Sequence, residues 1–349
     1  SYYNWMTAAA PAKNDLHFYT PGDMYLEHNG NIKSWPVDSS GRDLSKYSNN
    51  DFGPSKSYHI VGEYNDFFGG YYHNDNYGFG HWAKHDEMPG QKLWLWALSD
   101  EGGIWEDHLT DTDGQYVEFQ AGRQWVQYSP GDHINPITKA KFDPYVTDLW
   151  TEYWFPIKET EGMNEASRDG VMNVELNDSL EIKLHSFINK KGTLKVLSNE
   201  EILATKTINF IPMQLHSLNL AKPSKSFDVV VEELDLYFHS DPKTLQFNRS
   251  FKVDKSVLNS ISEQDKQFLE GYELLKERRY LEAENLFIKV LSNSPKHLDA
   301  NSAMADLYFR KGKYKEGLNA ITKILSIDSY DAKANFLAGN IYRALGKYN

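Results

Sequence analysis

The fold class this 349-residue sequence predicts is a two-part β + α chain, a β-sandwich or supersandwich followed by an α-helical solenoid. Three observations predict it. Up to about residue 240, short alternating or β-branched runs are separated by Gly, Asn, Asp and Pro, the pattern of many short strands. Beyond residue 262 the apolar positions change to a period of 3.6, which belongs to helices. All nine Trp lie between Trp5 and Trp154, so the chain has two compositions.

Taken in order, the stretch 48–90 is rich in Asn, Gly, Tyr and His and shows poor periodicity, which predicts a long irregular, functional segment. "QKLWLWALS" (91–99) alternates Leu93, Leu95 and Ala97 with Trp94, Trp96 and Leu98, so both faces are apolar, as in a strand buried between layers. "LTDTDGQYVEFQAGR" (109–123) could be a calcium loop. With Gly114 at loop position six, however, Leu109 and Gln120 stand where acidic ligands are needed. Asp113-Gly114 fits a tight turn, with "GIWEDHL" and "QYVEF" as its strands. On the outgoing strand Tyr116, Glu118 and Gln120 share one face, and Val117, Phe119 and Ala121 the other. "SLEIKLHSF" (179–187), "TLKVLS" (193–198) and "FDVVVEELDLYF" (227–238) are further strands. Residues 1–240 thus form the β-domain, 241–262 a polar linker and 263–349 a helical array.

In the array, Gly271, Ala305 and Gly339 recur every thirty-four residues, as do Tyr280, Tyr314 and Tyr348, with Leu274, Tyr308 and Tyr342 in register. That period, with small residues at helix crossings and Pro295 at a boundary, resembles the tetratricopeptide repeat. About two and a half repeats are expected. The chain stops before the second helix of the third, which suggests a piece of a longer array.

Zero cysteines excludes disulfides and thiolate chemistry and leaves the compartment open. A net charge of −12 argues against nucleic acid and anionic membrane partners. No apolar run reaches the length of a membrane span, and no signal peptide opens the chain. The localisation is not specified by these features.

Candidate chemistry concentrates in 62–96. His81 and His85 are four apart, but Gly80, Pro89 and Gly90 oppose the helix that would let them share a zinc ion, so no metal and no cofactor is expected. Tryptophans and tyrosines beside His, Asp, Glu and Arg suit a sugar, whose C–H faces stack on rings while its hydroxyls take the polar groups.

"DFFGGYYH" (66–73), "GFGHW" (78–82), "LTDTDGQYVEFQAGR" (109–123) and "TEYWFPI" (151–157) resemble a bacterial family of galactose-mutarotase-like domains of unassigned function, often fused to tetratricopeptide arrays. The resemblance spans roughly residues 1–240. It implies a β-supersandwich with a sugar groove, in which Glu118 corresponds to the base and His73 or His81 to the acid. Arg123, Trp82, Asp111, Asp113 and Trp154 would line the groove. Three readings stay open: an enzyme, either an epimerase with a His/Glu pair or a glycosidase pairing Glu118 with Asp111 or Asp113; a carbohydrate-binding protein; and a non-catalytic scaffold acting through its repeats. The expected partners are a carbohydrate ligand and a protein bound by the repeats.

Overall fold

The computed structural model describes residues 5–27, 31–61, 66–85, 87–110, 113–124, 143–198, 201–241, 259–276 and 278–347. The chain divides into two compact units: one gathers residues 4–138 and 150–248, the other 1–3, 139–149 and 249–349.

The first unit is built from β-sheets. Strands β1 (Trp5–Pro11), β9 (Tyr116–Gly122), β8 (Gly90–Trp96), β5 (Ser55–Val61), β3 (Met24–Leu26) and β4 (Ile32–Ser34) make a six-stranded sheet in that order. A four-stranded sheet, β10 (Tyr153–Lys158), β7 (Tyr77–Trp82), β6 (Phe67–Tyr72) and β2 (Leu16–Tyr19), packs against it. Leu93 and Leu95 of β8, Val117 and Phe119 of β9 and Phe68 of β6 are buried in the core between the sheets. The ring of Phe119 meets Phe79 edge-on with centroids 4.5 Å apart.

Residues 48–90 are not the irregular segment expected. They contain β5, β6 and β7. Every residue of β6 is buried because both faces of its sheet are covered, so no apolar–polar alternation shows. The far face carries a second core of Phe67, Tyr71, Phe155, Ile157 and Met163. Glycines let the strands and rings meet closely: a Cβ on Gly80 would stand 2.4 Å from the Phe155 ring.

The predicted hairpin at Asp113-Gly114 is also corrected. The strand entering it is β8, which ends at Trp96, and "GIWEDHL" forms helical turns, with α1 at Asp100–Gly103 and α2 at Glu106–Leu109. Ser99 starts the first by accepting a hydrogen bond from the Gly102 N–H, and acidic residues occupy both first turns. Gly114 keeps the positive φ (83°) that its turn requires.

From residue 165 two further four-stranded sheets enclose a core of their own. One runs β11 (Glu165–Ala166), β12 (Gly170–Leu176), β13 (Ser179–Ser186), β16 (His216–Ala221). The other runs β15 (Glu201–Phe210), β14 (Lys190–Ser198), β17 (Asp228–Val231), β18 (Leu236–His239). The run 227–238, read as one strand, is broken at residues 232–234 by a 3-10 turn, with Asp235 at φ 54°.

The second unit is helical: α3 (Glu263–Lys276), α4 (Tyr280–Asn293), α5 (Leu298–Arg310), α6 (Tyr314–Leu325) and α7 (Ala332–Ala344). Gly271 gives Phe287 room, since a Cβ there would lie 2.8 Å from its ring. The described residues 143–149, placed in the β-domain by sequence, belong to this unit. Val146 is buried with Tyr280 and Phe287. Asp148, its side chain fully buried, lies 2.5 Å from Arg310 and 3.7 Å from Arg278. Most of the expected linker, residues 242–258, lies outside the described residues.

Candidate functional site

Strand alternation decides where the predicted site residues go. Phe119 points into the core, so Glu118 points to the outer face of the six-stranded sheet. Cross-strand register then sets two adjacent rows on that face. Thr7, Gln120, Lys92 and His59 form one; Ala9, Glu118, Trp94 and Ser57 form the next. From ideal sheet spacings Glu118 and His59 are separated by about 12 Å between Cα atoms.

Rings close both ends of this polar patch. Trp5 lies over Gly122 and Gly90, whose missing Cβ atoms would stand 2.4 and 2.5 Å from its indole, and it meets His59 edge-on. At the other end Trp94 meets Trp96 at 4.8 Å, and Trp96 stacks on Trp105 at 5.1 Å. His59 and Lys92 are buried, whereas Glu118 and Trp94 are half-buried, so the face opens at Glu118 and Trp94.

The polar groups are linked. The Gln120 side-chain amide donates to Glu118 Oε2. Burial pulls the Lys92 ammonium down to about 8, against the opposing charge of Glu118. The Tyr116 hydroxyl is pushed up by burial, then by the Glu118 charge. His59 Nδ1 is 3.0 Å from the Leu26 carbonyl oxygen. A carboxylate, an amide, an amine and an imidazole share one sheet face, and of the four only the Glu118 carboxylate is half-open to a ligand hydroxyl.

The predicted histidines are elsewhere, which corrects the expected Glu118/His73/His81 set. His81 is on the opposite sheet, facing the core: it packs on Phe68 and Trp154, and its Nε2 is 3.0 Å from Glu152 Oε2. Glu152 is pushed up by burial, but hydrogen bonds from His81 and Trp150 outweigh this and hold it below the usual range. Arg123 joins that cluster through the Trp150 ring, 5.2 Å from its guanidinium, and through the Glu87 carbonyl. His73 is exposed beside Tyr19 and Tyr71 at the far edge of the four-stranded sheet. Trp82 packs with Tyr153 on that sheet's other face. Asp113 is exposed ahead of β9, and Asp111 lies outside the described residues. The structure therefore brings His81, Trp154 and Arg123 into one cluster and leaves Glu118 in another.

Sequence reasoning missed Lys92, His59, Gln120 and Trp94. Once β8 and β9 are paired, the alternation noted in 91–99 and 116–121 would have found all but His59. His59 needed β5, which lay in the stretch read as irregular.

Residues 1–157 match a domain of unknown function (DUF5107), and residues 274–334 match the tetratricopeptide repeat. The chain carries a DUF5107 domain and a tetratricopeptide repeat region. The DUF5107 match spans β1 to β10 and thus the whole outer-face patch. The repeat match runs from the end of α3 to the start of α7, and such repeats are protein-interaction modules. Among solved structures, a TPR-domain containing protein from Parabacteroides distasonis is 13% identical. The alignment covers 98% of this chain but 52% of that one, and a TM-score of 0.29 assigns no fold. No helix among the described residues is long and apolar enough to cross a membrane.

Proposed function

We propose that the DUF5107 domain binds carbohydrate on the outer face of its six-stranded sheet, while the repeats hold a protein partner. The observation that carries this is the pair of rows Thr7–Gln120–Lys92–His59 and Ala9–Glu118–Trp94–Ser57, bounded by Trp5 and the Trp94–Trp96–Trp105 cluster. Rings at both ends offer stacking surfaces, and the half-open Glu118 between them offers directional hydrogen bonds. The resemblance to mutarotase-like domains, read from the motifs around Gly69, His81, Glu118 and Trp154, supports the same ligand class.

Glu118 keeps the role of base in a catalytic version of this reading. His59 and Lys92, unlike His73 and His81, share its face but are buried, so Glu118 is the one of these three groups open to a ligand. The test is a titration of the full chain against hexoses, pentoses and short neutral glycans, followed by tryptophan fluorescence and calorimetry, alongside a polarimetric assay. Binding that shifts the fluorescence and is weakened by Trp94→Ala supports the proposal. With turnover, Glu118→Gln removes roughly 10²–10⁴-fold in rate while affinity stays. Without turnover, it changes affinity alone. Silence across the whole panel refutes the sugar reading and leaves a scaffold acting through its repeats.

A further inference from the structure

Segment 143–149 lies on the helical unit in the manner of a bound peptide. It forms no helix or strand, and its side chains alternate. Val146 and Asp148 are buried, whereas Tyr145, Thr147 and Leu149 are exposed. Val146 joins the core of Tyr280, Phe287 and Leu307. The Asp148 carboxylate stands between Arg310 at 2.5 Å and Arg278 at 3.7 Å. The segment also completes two helix ends. Arg279, at the start of α4, provides no side-chain cap, and Asp143 Oδ2 accepts the Leu281 N–H at 3.1 Å instead. The Thr147 N–H donates to the Arg310 carbonyl at the end of α5, at 2.7 Å.

This seat is peculiar to one crossing of the array. Arg278, Gly312 and Gly346 hold one repeat position, and all three have left-handed backbones, at φ 61°, 67° and 69°. Glycine adopts that conformation freely, whereas a side chain there is strained. Arg278 bears the strain while its guanidinium reaches Asp148. One repeat on, Gly312 and Ala344 stand in the places of Arg278 and Arg310, so the paired cations are not repeated there. The contacts that hold the segment are one aliphatic anchor, one buried carboxylate and two hydrogen bonds to helix ends. An extended segment of another protein can supply the same set, provided an aliphatic residue stands two places before an aspartate.

We propose that the Arg278–Arg310 seat docks an extended acidic segment of a partner protein, of the form aliphatic-x-Asp, and that residues 143–149 occupy it in cis until the partner displaces them. The inference rests on the protein-binding reading of the repeats and gives that role a place and a ligand chemistry. The tether holds 143–149 at an effective concentration on the order of millimolar, so a free competitor binds weakly until the segment is loosened.

The probe is a fluorescent peptide, DPYVTDL, with the sequence of residues 143–149. It is titrated by anisotropy against the full chain and against its Val146→Ala, Asp148→Asn double variant. The variant should bind at least about tenfold more tightly than the unaltered chain. Adding Arg310→Gln to it, or placing Asn at the peptide's second Asp, should abolish that gain. Circular dichroism shows whether the variant keeps its helices. Hydrogen exchange of the unaltered chain is the second measurement, and it decides alone if the variant unfolds. The Thr147 amide should exchange through a smaller opening than the amides of α4 and α5, because the segment leaves while the helices stay folded. A folded variant that binds no peptide, equal binding by both chains, or Thr147 exchange only together with α4 and α5 overturns the proposal. A dimer of the unaltered chain that the variant does not form would make a second copy the occupant and overturns it too. Each of these failures leaves the protein-binding reading of the repeats standing. That reading fails separately, if photoreactive groups at the exposed Phe336 and Tyr342 of α7 crosslink no protein in cell extract.

Discussion

At the residue scale, buried titratable groups set the acid response of the fold. His185 is buried, and its Nε2 accepts the Lys158 backbone N–H at 3.2 Å, a role only the neutral ring can fill. Burial accordingly pulls it down to about 4. Its folded value is below the ordinary value of 6.5, so its contribution is complete above pH 6.5 and is lost as pH falls towards 4. The expected loss is up to about 3 kcal/mol, and urea unfolding followed between pH 7 and pH 4 measures it. His185→Gln, which retains an acceptor without a titrating ring, should flatten that pH dependence; an unchanged slope would assign the effect to other groups. Lys92 has the opposite relation to neutral pH. Its ammonium is charged and buried, so Lys92→Met should raise the unfolding free energy by roughly 1–3 kcal/mol while weakening any ligand on the outer face. A drop in melting temperature would show that the attraction of the Glu118 charge outweighs the cost of burying it.

At the scale of elements, glycines control how closely strands and helices approach. Gly80→Ala would drive a Cβ to 2.4 Å from the Phe155 ring, between the four-stranded sheet and the next sandwich. A loss of about 1–3 kcal/mol is expected from overpacking, read as a lowered melting temperature; a neutral result would mean the ring can turn aside. In the array, Gly271 and Gly339 hold equivalent repeat positions but different surroundings. Gly271 faces Phe287, whereas nothing lies within 4 Å of a Cβ on Gly339. Gly339→Ala should therefore stabilise α7 by up to about 1 kcal/mol, from helix propensity alone, and Gly271→Ala should destabilise. Thermal unfolding of both variants separates the two, and matching signs would contradict this packing. Segment 143–149 offers a further check. Asp148→Ala removes the buried carboxylate between Arg278 and Arg310, although Arg310 keeps Asp306, and should cost about 1.5–3 kcal/mol. Hydrogen exchange of α4 and α5 should report that loss locally.

At the scale of the whole molecule, the division between sheets and helices was legible because the two parts differ in period and in tryptophan content. The repeats were the most legible, since a fixed spacing from Gly271 to Gly339 leaves little freedom. Strands covered on both faces were the least legible. In β6 paired aromatics and glycines are buried on both faces, and in β7 glycines separate the rings, so the hydrophobic pattern carried no period. That loss propagated to the site: without β5 to β7 in place, neither the separation of His81 from Glu118 nor the presence of His59 could be read. Glu118 itself was legible, because one strand with apolar and polar faces sends it to one side wherever its neighbours lie. Segment 143–149 was not, because its partners Tyr280 and Arg310 are distant in sequence and no local pattern announces them.

The central claim is that the outer face of the six-stranded sheet is the ligand face. The most direct measurement is a crystal structure of the full chain with the tightest-binding glycan from the titrations. A sugar ring should lie against Trp94, with hydroxyls within hydrogen-bond distance of Glu118. A glycan held instead at Trp154, His81 and Glu152 would contradict it.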